Sequence, residues 1–76
     1  MNGVTKEGVT VSIGQVWRDL DKRMGNRTCT VLAIDSDGKK WTAFMRVDGT
    51  FARTTRVNVA RMHKSRTGWK LEKDAP

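Results

Sequence analysis

Apolar and polar positions alternate in short runs along most of this chain. In VTVSI (9–13), Val9, Val11 and Ile13 are set against Thr10 and Ser12, which predicts a strand. Gly14 interrupts it, and the adjacent Val16 and Trp17 break the phase, so a bulge or tight turn is expected there. Three further β-rich runs follow: TCTVLAIDS, KKWTAFMRV and TFARTTRV. The pairs Asp37-Gly38 and Asp48-Gly49 separate them. Asp-Gly between alternating runs favours a type I′ hairpin turn, so the spacing predicts a three-stranded antiparallel meander over 28–57.

Two-residue turns fix a register. Ile34 then faces Trp41, Leu32 faces Ala43, and Met45 faces both Thr30 and Ala52. One face gathers Leu32, Ile34, Trp41, Ala43, Met45 and Ala52 as a core. The other carries Cys29, Val31, Phe44, Arg46, Phe51 and Arg53, with Phe44 opposite Arg53 and Arg46 opposite Phe51. After Val57, Asn58 is a fitting N-cap, and Val59 and Met62 share a face, which predicts one helical turn. TGWKLEK (67–73) alternates again, with Trp69 and Leu71 inward and Lys70 and Glu72 outward. The domain reading is an arm at 1–8, one folded unit at 9–73 and a tail at 74–76. Curling the meander so that the first and last strands cover it gives an all-β, SH3-like barrel of about five antiparallel strands, with one short helical turn before the last strand.

Composition narrows the functional classes. At 76 residues there is room for one small domain, not for a cofactor-binding domain plus a substrate domain. The net charge is +7, and its distribution is uneven. Residues 1–38 carry five basic and five acidic side chains; residues 39–76 carry ten basic and three acidic, which is the whole excess. A small unit with one basic side attracts polyanions, because each neutralised phosphate releases counterions. The same charge also keeps a small domain soluble. The one cysteine, Cys29, excludes an internal disulfide, and with one histidine, His63, there is no structural zinc set. No apolar run predicts a signal peptide or a membrane span, so a bacterial cytoplasm is the expected location.

Two groups of residues are candidates for chemistry. Asp19, Asp21, Arg23 and Arg27 lie in the charged stretch between Trp17 and Thr28. Two carboxylates are too few oxygens for Mg²⁺ or Ca²⁺, so a salt-bridged loop is expected first and a recognition loop second. The second group is Phe44, Arg46, Phe51 and Arg53, with Arg56 and Arg61 close by. Rings that stack on bases beside cations that hold phosphates suit nucleic acid, single strands above all. Cross-strand Phe–Arg pairs also simply stabilise sheets. Neither group has the spacing of a catalytic, metal or cofactor site.

The stretch GQVWRDLDKRMGNRTCTVLAI (14–34) resembles the opening of the MazF/PemK-type toxin endoribonucleases, SH3-like barrels. Gly14, Val16, Trp17, Asp19, Leu20, Asp21, Gly25, Arg27, Val31, Leu32 and Ile34 carry the likeness. It implies that Arg27 stands for a loop arginine used in RNA cleavage. Thr28 replaces the family's proline, and Asp35 stands where its hydroxyl residue belongs, with Ser36 one place late. A wider pattern is similar to short proteins of actinobacteria and their phages: Gly14, Val16, Trp17, Asp19, Asp21 and Arg23, then Ser65, Thr67, Gly68, Trp69 and Leu71. It implies a small standalone barrel of bacterial or phage origin. The leading expectation is a non-enzymatic module that contacts nucleic acid, DNA or RNA. A module that binds a host protein comes second, and a degenerate endoribonuclease third.

Overall fold

The computed structural model describes residues 3–49 and 53–75. Five strands form one antiparallel sheet: β1 Val16–Asp19, β2 Thr28–Ser36, β3 Trp41–Val47, β4 Thr54–Asn58 and β5 Trp69–Lys73. The order across the sheet is β4-β3-β2-β1-β5. A 3-10 turn at Lys22–Met24 lies between β1 and β2, and a second at Val59–Arg61 precedes β5. β4 and β5 are opposite edges with no ladder between them. The sheet is therefore open where a closed barrel was expected.

The first strand is not the VTVSI run. Apart from a single bridge between Val4 and Thr10, the described residues before Gly14 form no strand. Gly14 takes a φ of 97° and Gln15 N–H donates to the Ser12 carbonyl at 3.2 Å. The chain turns there, and β1 begins beyond it. Residues 3–8, read as an arm, join the body: the Val11 N–H donates to the Gly3 carbonyl, and Thr5 is buried.

Both hairpin loops are longer than two residues, and the register shifts accordingly. A type I′ turn needs positive φ at both central positions. Only the glycines supply it, Gly38 at 93° and Gly49 at 78°; Asp37 and Asp48 do not. The carboxylate of Asp37 instead accepts from the Lys39 and Lys40 N–H groups, at 2.9 and 2.8 Å, and closes a four-residue loop. Those amides hold its carboxyl below the ordinary value. The Asp48 carboxylate reaches across to the hydroxyls of Thr28 and Thr30, at 2.9 and 2.8 Å. Ser36 now faces Trp41, and Ile34 faces Ala43. Between Val31 and Ala33 the ladder slips by one residue at Leu32.

This bulge reassigns the faces. Cys29 and Val31, expected outside, are buried, while Leu32, expected in the core, is 44% exposed. Before the bulge odd residues point inward; after it Ile34 does. On β4 the shift is three positions, so Met45 faces Thr55 and Ala43 faces Val57. Ala52, assigned to the core, lies outside the described residues. The core comprises Trp17, Cys29, Val31, Ala43, Met45, Val47, Val57 and Trp69 on the sheet, covered by Val11, Val59 and Met62. Trp41 and Ile34 pack against its margin. The expected helical turn and last strand are as read, with Asn58 capping the Ala60 N–H at 2.9 Å.

Burial pushes the Cys29 thiol up to about 11. Its folded value thus lies above the unfolded one, near 8.5. The stabilisation is complete below that pH and is lost as the medium rises toward pH 11. Up to about 2–3 kcal/mol is involved. Urea midpoints are expected to fall between pH 8.5 and 11, with Cys29→Ala reducing that fall. A thiol reagent should react at neutral pH only as fast as the fold opens.

Candidate nucleic-acid interface

The outer face of the sheet is polar and cationic. Side chains alternate along a strand, so Val16 and Arg18 of β1, Phe44 and Arg46 of β3, Thr54 and Arg56 of β4, and Lys70 of β5 share this side. Cross-strand partners extend in a row over all five strands: Thr54, Arg46, Thr30, Val16 and Lys73. In the next row Arg56, Phe44 and Ala33 are neighbours. Phe44 is half-buried between two exposed arginines, Arg56 across the ladder and Arg46 two residues along. Among the described residues neither arginine makes an ion pair.

The aromatic–guanidinium pairing therefore exists with different partners. Arg53 does not face Phe44; its carbonyl accepts from the Val47 N–H at 3.0 Å, ahead of β4, and its side chain is exposed. Phe51 lies outside the described residues, so the Arg46–Phe51 pair is not described, and Arg46 stands opposite Thr54. Arg61 is exposed in the second 3-10 turn, beyond the end of β4. The face thus brings together Phe44, Arg46 and Arg56, and leaves Arg53 and Arg61 at the two ends of the β4 edge. Three carboxylates share this side with the cations: Asp48, bonded to the two threonines, Asp35, opposite Thr42, and Glu72. Arg18 is partly neutralised by Glu72 at 2.7 Å, which holds the Glu72 carboxyl below its ordinary value.

The charged stretch from 19 to 27 is paired within itself. Asp19 is buried; its Oδ2 accepts from Arg27 Nε at 3.0 Å and its Oδ1 from the Asp21 N–H at 3.0 Å. The Arg27 guanidinium also lies 5.9 Å from the centre of the Trp69 ring. The backbone repeats the link, since the Asp19 N–H donates to the Arg27 carbonyl at 2.9 Å. Between these two ends Asp21 caps the first 3-10 turn, and its carboxylate takes a two-point contact from Arg23 at 3.1 and 2.8 Å. That contact lowers the Asp21 pKa and raises that of Arg23. Gly25 and Asn26, with φ of 65° and 60°, return the chain to β2. Asp19 and Arg27 thus tie the ends of the loop together, and Asp21 and Arg23 pair within it. No group of three metal-binding side chains occurs among the described residues.

Gln15 has a structural role that sequence reasoning missed. It is buried, and its amide is fully used. Nε2 donates to the Thr10 carbonyl and to Asp74, both at 3.0 Å. Oε1 accepts from the Ser12 N–H at 2.9 Å and from Trp17 Nε1 at 3.1 Å. The signal was its phase: Gln15 and Asp19 alternate with Trp17, which sets two polar residues on the inward side.

Comparison with protein-family models, with curated proteins and with solved structures gives no match for this chain.

Proposed function

We propose that this chain is a small non-enzymatic module that binds nucleic acid on the outer face of its sheet. The observation that supports it is Phe44 flanked by Arg46 and Arg56, both exposed and without carboxylate partners among the described residues. A ring between two guanidinium groups offers a base a stacking surface and the adjoining phosphates two cations. No cofactor or metal enters this reading. The strand order, with a single 3-10 turn before the last strand, is also what an SH3-like architecture requires, and we read the fold as a member of that group with its edges left apart. The resemblance to short bacterial and phage proteins fits a role in a bacterial cytoplasm.

A salt series with labelled single-stranded and duplex oligonucleotides tests this proposal. Affinity is expected to fall steeply as salt rises. Arg46→Ala combined with Arg56→Ala should weaken binding about tenfold or more and reduce the salt slope by about two. Binding indifferent to salt, or unaltered by the double variant in a folded protein, would remove this surface from consideration.

A second reading, a module for a host protein, draws on a different region. Ile13 is 62% exposed beside a cavity of about 280 Å³ lined by Gly3, Thr10, Val11, Ser12, Ile13, Ile34 and Trp41. RNA cleavage is the weakest reading, because Arg27 is committed to Asp19 and to the Trp69 ring.

A further inference from the structure

The two edges of the sheet differ, and the difference points to a second binding site. On β5 the Leu20 N–H donates to the Gly68 carbonyl at 3.0 Å, so even-numbered residues turn toward β1 and odd ones toward the edge. That edge is guarded. The Trp69 N–H is taken by the His63 carbonyl at 2.8 Å. The ladder shifts by one residue near its end, and Lys70 and Lys73 flank it. Bulges and lysines are how sheets prevent further strands from joining.

Among the described residues the β4 edge has neither the bulge nor a carbonyl across it, and its charges are arginines. The Val47 N–H bond to Arg53 turns odd-numbered residues toward β3, so Thr54 and Arg56 point their N–H and C=O groups outward, as does the N–H of Asn58. The ladder to β3 is unbroken over the whole strand. Among the described residues no backbone or side-chain group bonds these outward N–H groups. Charge around the edge has one sign: Arg53 and Arg61 stand at its ends and Arg56 at its middle. Past Asn58 a cavity of about 280 Å³ is lined by Trp41, Val59, Ala60 and Val4, with Lys39 and Lys40 also in its lining.

We infer that β4 accepts an extended acidic peptide as a sixth strand, with one apolar side chain entering the Trp41 cavity. A peptide supplies the alternating donors and acceptors that the edge lacks; a nucleic acid backbone does not. A second copy of this chain fits less well, since pairing β4 with itself sets arginines against arginines. This site goes beyond the nucleic-acid surface and is independent of it, although Arg56 borders both.

The probe is a synthetic peptide of alternating valine and glutamate ending in leucine, titrated into the full chain by NMR. Saturable binding is expected, with hydrogen-exchange protection at the Thr54 and Arg56 amides and none at Leu71. A lysine-for-glutamate peptide should bind at least tenfold more weakly. Thr54→Pro removes an outward N–H and no ladder bond, so it should weaken peptide binding about tenfold. A peptide N-methylated at alternate residues asks the same question from the ligand side, whatever that variant does to folding. The inference is overturned by no saturable binding, by equal binding of the acidic and basic peptides, by protection at β5 instead, or by sedimentation showing that the chain fills this edge with its own copy.

Discussion

Gly68→Ala is expected to destabilise the protein by about 3 kcal/mol or more, a large share of the ~4–11 kcal/mol available to a domain of this size. At an accommodating site the same change stabilises slightly, by restricting the unfolded chain. Here the added methyl carbon would lie 1.9 Å from the His63 carbonyl oxygen and 2.5 Å from Ser65 Oγ. Backbone does not yield as a flexible side chain does. The His63 carbonyl receives the Trp69 N–H, the Gly68 N–H donates to Ser65, and the Gly68 carbonyl receives Leu20. Displacing any of them loosens the 63–68 loop and the start of β5, where Trp69 enters the core. Urea denaturation followed by tryptophan fluorescence measures the change; an unaltered midpoint would show that the loop repacks without loss.

Gln15→Leu is expected to cost about 3 kcal/mol despite similar size. It strands the buried Trp17 Nε1–H and removes the partner of the half-buried Ser12 N–H and of the Thr10 carbonyl; a buried unpaired group costs about 1–3 kcal/mol before relaxation. It also releases Asp74, whose carboxyl is held below its ordinary value first by the Gln15 amide. A carboxylate depressed in this way stabilises the fold above the unfolded carboxylate range. That contribution is lost as pH falls through the folded value. The wild-type protein should therefore lose stability below about pH 4 more steeply than the Leu variant. Equal acid profiles for the two, or a loss under about 0.5 kcal/mol, would mean that water replaces the amide.

Much of the sheet was legible from local chemistry. β5 alternates as written, Asn58 caps the turn that its side chain suits, and Gly38 and Gly49 adopt the left-handed backbone expected of them. What failed was the inference from glycine to loop length. A hairpin of two residues needs both to turn left, but the Asp37 carboxylate finds backbone amides, and Asp48 finds Thr28 and Thr30. The bulge at Leu32 then altered which side chains face inward, and nothing in a run of Val-Leu-Ala-Ile marks where a strand slips. The candidate surface was half legible for the same reason. Phe44 and Arg46 were placed together correctly, but their β4 neighbour is Arg56, because the odd shift in register swapped the faces of that strand. In the charged stretch a salt-bridged loop was expected, but not which residues pair. The Asp19–Arg27 link joins residues eight apart, a closure that no local pattern displays.

The sheet order also sets a schedule for folding. β1 lies between β2 and β5, and its contact with β5 joins Trp17 to Leu71, 54 residues further along. A nascent chain emerging from the ribosome can pair β1 with β2 early. It cannot cover the other side of Trp17 until β5 has been synthesised. Connections of that range are closed slowly, because chain entropy is surrendered before the reward arrives. The first strand made is therefore among the last to be completed, and a chain cut short before residue 69 leaves the Trp17 indole half wrapped.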